Sequence, residues 1–346
     1  MMAAIGLGAI QEAENELPTA METYRRALIL GGDPLPPPAC DAHLGLAHIF
    51  YQWNDLDAAQ HHAQQSLPLA RQIVNTDRSV LCEEYLARLL FTRGDAAGAD
   101  EILAQTYQTA LQYNFANRIP EIASSRVIVL LSQGNLRAAA QLAQAHSIPS
   151  SLARVYLAQG DAAAALRLLE PLRRQLEAKR WADEILKVTI LLALAYQLDN
   201  QKDKTNILMA EALLMAEPGG YIRLFVDEGE PMRLLLQNFR LWKNQQRPKD
   251  ERMIAYLDKI LSAFAQLLAS SESSNVARKS DLAEPLSERE KEVLRLLRTE
   301  LNGPEIAEQL IISLHTLRSH THHIFRKLGV NNRRAAIRRA EELGLL

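Results

Sequence analysis

The chain has 346 residues, of which 48% are hydrophobic and 23% charged, and its formal net charge is −2 at pH 7. This length is typical of two domains, and a low aromatic content of 5% together with many Ala and Leu residues favours an all-helical chain. No apolar run is long enough to span a membrane, and the apolar start lacks the basic flank of a signal peptide, so we expect a cytoplasmic protein without membrane segments.

A short block of residues recurs over the first two hundred positions. Each copy has an apolar stretch, then a pair such as Gly94-Asp95 or Gly160-Asp161, and then an Ala-rich stretch. The copies are marked by Glu16, Asp55, Asp95, Asn135, Asp161 and Asn200, at steps of 39, 40, 40, 26 and 39 residues. Gly accepts left-handed backbone and Asp caps the following helix, so each pair predicts the turn of a helical hairpin. The period predicts a solenoid of stacked hairpins, with the short step marking a shortened hairpin near residues 146–149.

The Gly-Asp-x-x-x-Ala core of these blocks resembles tetratricopeptide repeats, of the longer variety found in MalT-like regulators. Residues 217–232 closely resemble the stretch that caps the repeats in large LuxR-family regulators, and two further helices, at about 231–242 and 248–268, are expected to close the solenoid's end. Residues 270–284 are Ser-rich without apolar periodicity and predict a flexible linker. The predicted domains are therefore a repeat domain with capping helices at 1–269 and a second domain at 285–346.

The second domain has the start signals of four short helices. Ser287 and Glu290 have the spacing of a capping box and begin a first helix that should end near Glu300. Asn302-Gly303-Pro304 ends it and starts a short second helix, and Ser313 is a suitable N-cap for a third, at 313–328. The tight turn before Ser313 indicates a helix-turn-helix. Gly329 can adopt the left-handed C-cap conformation, and a fourth helix is expected after residue 332.

Charge separates the two parts of the chain. Residues 313–340 contain seven Lys or Arg and no Asp or Glu. From residue 286 to the end there are eleven basic and eight acidic residues, whereas the rest of the chain has 28 basic and 33 acidic residues. This asymmetry indicates a nucleic-acid-binding end attached to an acidic part.

The third helix has two faces at helical spacing. Leu317, Ile324 and Leu328 should point to the core. The opposite stripe consists of His315, Arg318, Ser319, His322 and Arg326. Its donors could reach guanine or phosphate, and the small Ser319 would allow a close approach to base edges. We expect Arg318 to make the base contact.

Four motifs in this domain closely resemble the LuxR-type helix-turn-helix. They are Leu286-Ser287-x-Arg289-Glu290-x-Glu292-Val293-Leu294, Glu305-Ile306-Ala307-x-x-Leu310, Ile312-Ser313-x-x-Thr316-Leu317-Arg318-x-His320 and Lys327-Leu328-Gly329-Val330. The resemblance implies an all-α fold with a recognition helix in the major groove of double-stranded DNA and a fourth helix that forms a homodimer contact on DNA. In this chain His322 stands where the family usually has Lys, and Asn302-Gly303-Pro304 replaces the usual Ser-Asn-Lys.

Nine residues are predicted to bind DNA on this basis. They are Thr316, Arg318, Ser319, His320, His322, Arg326, Lys327, Arg333 and Arg334. The resemblance gives the base-facing positions to Arg318, Ser319 and His322, and places Thr316 near phosphate.

Two functions are compatible with this organisation. The first is a transcription regulator whose solenoid binds a small-molecule or protein effector, since a solenoid without chemistry of its own usually binds something along its concave face. The second is a protein-interaction scaffold with weak, non-specific DNA binding, which the missing Lys positions would allow. The aromatic residues of the repeats are interpreted as packing and name no effector site.

Catalytic, metal and cofactor sites are not predicted. No nucleophile elbow, zinc motif or carboxylate pair occurs, and the His residues of the third helix have no Cys or carboxylate partner. Cys40 and Cys82 follow no metal or redox spacing. Regulators of the resembled type normally begin with an ATPase module, but no Gly-x-x-x-x-Gly-Lys-Ser/Thr loop is present. We therefore expect no ATP binding and a chain that corresponds to the carboxy-terminal part of such a regulator.

Overall fold

A computed structural model describes the chain except for residues 75, 246–249, 281–285, 300, 311, 329, 331, 343–344 and 346, and except for the side chains of 268–280, 315 and 342. The described residues form nineteen α-helices and no strand, which confirms the all-α prediction. They divide into two compact units, Met1–Phe264 and Ala265–Leu346. None of the described helices is both long and apolar enough to cross a membrane.

The first twelve helices pair into six hairpins. In chain order these are α1 (Met2–Ala13) with α2 (Leu17–Gly31), α3 (Ala39–Gln52) with α4 (Leu56–Ala70), α5 (Arg78–Thr92) with α6 (Ala96–Gln112), α7 (Ile119–Ser132) with α8 (Leu136–Ala145), α9 (Pro149–Ala158) with α10 (Ala162–Lys179), and α11 (Ala182–Leu198) with α12 (Lys202–Ala216). Each helix packs on the next one along the chain, as stacked hairpins do. The predicted solenoid is confirmed.

The turn inside every hairpin has the same backbone. One residue with positive φ precedes the N-cap of the second helix, and these residues are Asn15, Asn54, Gly94, Gly134, Gly160 and Asn200. Gly and Asn adopt this left-handed conformation more readily than other residues. The N-cap side chain then accepts a backbone N–H in four hairpins, as Asp161 Oδ1 does from Ala164 N at 2.8 Å. In the sixth hairpin Asn200 takes the glycine position and Gln201 is the N-cap, one residue later than predicted.

The short step in the repeat comes from two short helices. α8 and α9 have 10 residues each, whereas the other helices of the hairpins have 12 to 18. They are joined at Ser147, whose φ is 51°. The predicted shortening near residues 146–149 is confirmed.

Small residues let the first two hairpins pack closely around Tyr24. The Tyr24 side chain is 3% exposed. A Cβ added at Gly8 would lie 2.6 Å from Tyr24 Cε1, and one added at Gly45 would overlap the opposite edge of the same ring. Both glycines are therefore required by space and not by backbone conformation.

The Gly45→Ala variant should lower the free energy of unfolding of the first unit by about 1–3 kcal/mol, because the added methyl displaces Tyr24 from a close-packed site. Urea unfolding of the intact chain measures the change. Gly6→Ala is the matched control, since nothing lies within 4 Å of its added Cβ. It should be neutral or stabilising by up to about 1 kcal/mol. Equal losses in the two variants would contradict the packing argument.

After α12 the chain returns to the first hairpins through a segment that we call the strap, residues 219–228. Trp53 Nε1 donates to the carbonyl oxygen of Gly219 at 2.8 Å. The backbone N–H of Ile222 donates to the carbonyl oxygen of Gln52 at 2.7 Å. The Tyr221 hydroxyl donates to Asn15 Oδ1 at 3.0 Å. Residues 217–232 thus do more than cap the array as predicted, because the strap crosses back to the first two hairpins.

The second half of the strap is held by charged groups. It contains a short helix, α13 (Arg223–Val226), followed by two acidic residues. The Tyr51 hydroxyl donates to Asp227 Oδ2 at 2.8 Å, and Arg154 Nε donates to Glu228 Oε1 at 3.0 Å. Arg88 of the third hairpin also pairs with Asp227, at 3.3 Å. The strap therefore joins the first, second, third and fifth hairpins.

Two longer helices follow, α14 (Gly229–Gln245) and α15 (Glu251–Ser280). α14 packs on α11, and the Tyr256 hydroxyl of α15 donates to the carbonyl oxygen of Tyr221. The two helices expected after the repeats are present. α15 continues through Ser280, so residues 270–280 are helical where an irregular linker was predicted. The rest of the predicted linker, 281–284, lies outside the described residues.

The second unit contains four further helices, α16 (Glu288–Leu297), α17 (Gly303–Gln309), α18 (Leu314–Leu328) and α19 (Arg333–Glu342). The predicted capping box of Ser287 and Glu290 begins α16, and Asn302 forms a second one with Glu305. α16 ends at Leu297, three residues before the expected end, and the predicted cap Gly329 lies outside the described residues. The core of the unit consists of Leu286, Val293, Leu294, Leu297, Ile306, Ala307, Leu317, Ile324, Leu328, Ala336 and Ala340.

Candidate nucleic-acid interface

The start of α18 is fixed by its N-cap. The backbone N–H of Thr316 donates to Ser313 Oγ at 3.0 Å, and the two hydroxyl groups lie 2.8 Å apart. This arrangement satisfies a backbone donor that the first turn of a helix leaves without a partner. It also places the half-buried Thr316 at the positive end of α18, where a phosphate would be favoured.

The two faces of α18 separate as the spacing predicted. Leu317, Ile324 and Leu328 are buried in the core of the unit. The exposed side chains are Leu314, Arg318, Ser319, His322, His323 and Arg326. His320 is half-buried, and the side chain of His315 lies outside the described residues. Because α18 contains no acidic residue, its exposed face carries only neutral and positively charged groups.

The side chain of Lys327 forms an ion pair inside the unit. Its Nζ lies 2.9 Å from Glu290 Oε2, and the two side chains are only 15% and 5% exposed. Burial alone would raise the pKa of Glu290, but the hydrogen bonds from Lys327 and Ser287 outweigh burial and lower the pKa below its ordinary value. One carboxylate therefore serves the capping box of α16 and ties that helix to the end of α18.

Arg333 donates hydrogen bonds to carbonyl oxygens at the C-terminal end of α16. Its Nε and Nη1 each donate at 2.8 Å, to the carbonyl oxygens of Leu297 and Leu301. Nη2 donates to the carbonyl oxygen of Thr299 at 2.6 Å. The last carbonyls of a helix have no partner inside the helix, and a cation is favoured at that end. The structure gives Arg333 this intradomain role, which the sequence reasoning missed when it counted the residue only as a DNA cation.

Arg289, which was not among the predicted site residues, supports the tight turn before α18. Arg289 Nη2 donates to the carbonyl oxygen of Leu310 at 2.6 Å, just before α18 begins, while its Nη1 pairs with Glu292. The contact joins the start of α16 to the end of α17. Its only sequence signal was its place in the motif around Ser287.

Arg334 differs from Arg333 in its surroundings. Its side chain is exposed, on the first turn of α19, a helix that packs on α16 and α18. Arg338 and Arg339 of the same helix are also exposed. α19 therefore adds a second positively charged surface to the unit.

Among the described residues, no group of three or more His, Cys, Asp or Glu side chains is arranged to hold a metal ion. The exposed faces of α18 and α19 carry hydrogen-bond donors and positive charge.

Two family models match the chain, one in each part. Residues 1–241 match the MalT-like TPR region, and residues 284–340 match the bacterial regulatory proteins of the luxR family. The first match covers more than half of the chain.

Similar proteins include HTH-type transcriptional regulators named MalT. The chain is 26% identical over 326 residues to that of Serratia proteamaculans (strain 568), 25% identical over 328 residues to that of Yersinia enterocolitica and 25% identical over 325 residues to that of Klebsiella pneumoniae. Each alignment covers 86% of this chain but 35% of the relative, so the chain spans about a third of the length of the curated relatives it matches. The chain belongs to the family with the MalT-like tetratricopeptide region, and its second unit is a LuxR-type helix-turn-helix domain.

Proposed function

We propose that the chain is a DNA-binding transcription regulator in which α18 enters the major groove and the solenoid receives a signal. The exposed, acid-free face of α18 is the observation that carries this proposal. The printed name of the relatives, HTH-type transcriptional regulator, supports it.

The proposed DNA contacts fall into three groups. Arg318 donates to the guanine edge, because a guanidinium matches the O6 and N7 acceptors of guanine in the major groove. Ser319 and His322 face neighbouring bases, while Thr316, Arg326 and Arg334 contact phosphates. His320 lies beside this face and is half-buried.

Lys327 and Arg333 contribute to this function by holding α18. Their hydrogen bonds to Glu290 and to three carbonyls join α16 to α18 and α19. In this proposal they keep the recognition helix at a fixed angle to the rest of the unit.

The proposed assembly on DNA is a symmetric homodimer that contacts itself through α19. A two-fold dimer would read two half-sites with the same orientation relative to each protomer. The proposed effector of the solenoid is a small molecule or a protein.

The second candidate is a protein-interaction scaffold with weak, non-specific DNA affinity. It is favoured by the use of Lys327 and Arg333 inside the unit, and by His322 at a position where a Lys is usual in the resembled family. Fewer cations on the surface mean fewer phosphate contacts and lower affinity at moderate salt.

Selection of random duplex DNA by the intact chain at about 150 mM salt separates the two candidates, because non-specific phosphate binding is weak there. Enrichment of a two-fold symmetric site is the result expected of the regulator. Retention of DNA without any enriched sequence would support the scaffold.

Replacing Arg334 by Ala should reduce the salt dependence of DNA binding without changing the selected sequence. Loss of one phosphate contact lowers the slope of log K against log salt by about 0.9. Binding titrations at several salt concentrations measure this slope. The matched control is Arg233→Ala on α14, a surface residue of the first unit that pairs with Glu230, and it should leave the slope unchanged. An unchanged slope in the Arg334 variant would remove this residue from the interface.

A further inference from the structure

Two histidine rings of the second hairpin face each other between its two helices. His43 lies on α3 and His62 on α4, and their Nδ1 atoms are 3.0 Å apart, which is hydrogen-bond distance. His43 is only 7% exposed, and His62 is half-buried. The contact therefore lies in a place that water reaches poorly.

This contact has room for one hydrogen between the rings. In a neutral pair one Nδ1 carries a hydrogen and donates it to the lone pair of the other Nδ1. A charged imidazole carries hydrogens on both of its nitrogen atoms. Two charged rings would therefore point two Nδ1 hydrogens at each other, so protonating both His43 and His62 breaks the contact.

The other groups that act on the pair are basic. His61 of α4 is exposed, and its ring centre lies 5.4 Å from that of His62. Arg25 of α2 lies over Phe50, the ring on which His62 stacks. Burial, followed by His43, His61 and Arg25, lowers the pKa of His62 to about 4. Burial, followed by His61, also lowers the pKa of His43, so both rings are neutral at pH 7.

The acidic groups of the helices that pack on α3 and α4 do not offset these cations. Glu12 of α1 lies 3.3 Å from His48 Nδ1 and accepts a hydrogen bond from the Tyr24 hydroxyl at 3.1 Å. Glu22 of α2 is exposed to solvent. The other acidic groups have partners of their own: Asp41 with Arg78, Asp57 with Arg93, Glu83 with Arg71, Glu84 with Ser125, and Asp227 of the strap with Arg223.

A row of aromatic contacts leads from the histidine pair to the strap. His62 and Phe50 are stacked, with ring planes 2° apart and ring centres 5.5 Å apart. Phe50 meets Trp53 edge-on, with ring centres 5.9 Å apart. Trp53 Nε1 in turn donates to the carbonyl oxygen of Gly219, the first residue of the strap. His62 is thus two ring contacts away from the side chain that anchors the strap.

We propose that His43 and His62 form an acid-sensitive latch for the strap. At neutral pH the neutral pair is closed, and Trp53 holds Gly219. In acid each ring takes up a proton from the solvent and the rings separate, so His62 leaves Phe50 and Trp53 releases the strap. The latch operates within the first unit and does not require that the chain bind DNA.

The pH window of the latch follows from His62. The pKa of a solvated histidine is about 6.5, whereas in the closed latch the pKa of His62 is about 4. The open state therefore binds protons more readily than the closed one. The closed state is fully favoured above about pH 6.5 and loses its advantage as the pH falls toward about 4.

Hydrogen exchange of the Ile222 backbone amide in the intact chain tests the latch, because this amide of the strap donates to Gln52. Its protection, corrected for the intrinsic effect of pH on exchange, should fall at least about tenfold between about pH 7.5 and about pH 5. The double variant His43→Leu with His62→Phe keeps an aromatic ring beside Phe50 but cannot titrate. Its protection should be the same at both pH values.

Two further variants complete the test. His62→Asn leaves His43 a hydrogen-bonding partner that does not titrate, so it should also abolish the fall in protection. His146→Gln is the matched control, because His146 bonds to Tyr107 and is not part of the latch. It should keep the fall.

Three results would overturn the proposal. The first is equal protection of the Ile222 amide at both pH values in the unchanged chain. The second is an undiminished fall in both the double variant and His62→Asn. The third is loss of the fall in His146→Gln, which would show that the effect is not specific to the pair.

Discussion

The Arg318→Ala variant should bind the selected DNA site about 1–3 kcal/mol more weakly than the unchanged chain, and its preference at one base pair should relax. The physical reason is the position of Arg318 on the exposed face of α18, where a guanidinium can donate two hydrogen bonds to guanine. Loss of that pair removes discrimination at one position and leaves the phosphate contacts. Repeating the selection with the variant, followed by titration of the wild-type site and its single-base changes, measures both effects.

The control for this variant is Arg295→Ala. Arg295 is an exposed arginine on the last turn of α16, in the same unit, so the change in net charge is identical. It should leave the preference at every base pair unchanged. If Arg318→Ala instead weakened binding equally for all sequences, Arg318 would be a phosphate contact and the scaffold candidate would gain support.

Replacing Glu290 by Ala should destabilise the second unit by about 3–5 kcal/mol, because it removes one member of a mostly buried ion pair. The variant also loses the capping box that begins α16. DNA binding should fall with the fraction of the unit that remains folded. All three Trp residues belong to the first unit, so hydrogen exchange of the amides in α16 and α18 is the suitable measurement.

Two further variants make this result interpretable. Glu292 is 48% exposed and pairs with Arg289 at the surface, so Glu292→Ala should change stability by less than about 1 kcal/mol. The double variant Glu290→Leu with Lys327→Met replaces the ion pair by apolar groups and should recover much of the loss, since a buried pair often has an apolar substitute of similar stability. Equal protection in the Glu290 and Glu292 single variants would show that the buried pair does not hold the unit together.

The parts of the fold that were predictable depend on local chemistry. The hairpin turns follow from residues that are adjacent in sequence, as in Gly160-Asp161, where one residue needs the left-handed backbone and the next caps a helix. The faces of α18 were predictable for the same reason, because helical spacing alone separates Leu317 and Ile324 from Arg318. The register error at Asn200 arose because Asn suits both the left-handed position and the N-cap.

The return of the strap was not predictable, because its partners have no sequence relation to it. Tyr221 and Asn15 are 206 residues apart, and a single sequence contains no signal for that pair. Similarly, counting cations cannot show which of them a fold uses internally. Lys and Arg are the residue types that usually contact DNA. Here, however, Lys327 donates to the buried carboxylate of Glu290, and Arg333 donates to backbone carbonyl oxygens.

The strap also changes the expected order in which the parts of the solenoid fold. An array of repeats ordinarily folds by contacts between neighbours, so its ends can unfold independently of its centre. Here Ile222, Phe225 and Val226 of the strap are at most 3% exposed, and they become buried only after six complete hairpins have been synthesised. The first hairpins therefore lack their contacts with the strap until residues 219–228 have been synthesised. Once the strap is in place, the early and late hairpins should unfold as a single cooperative block.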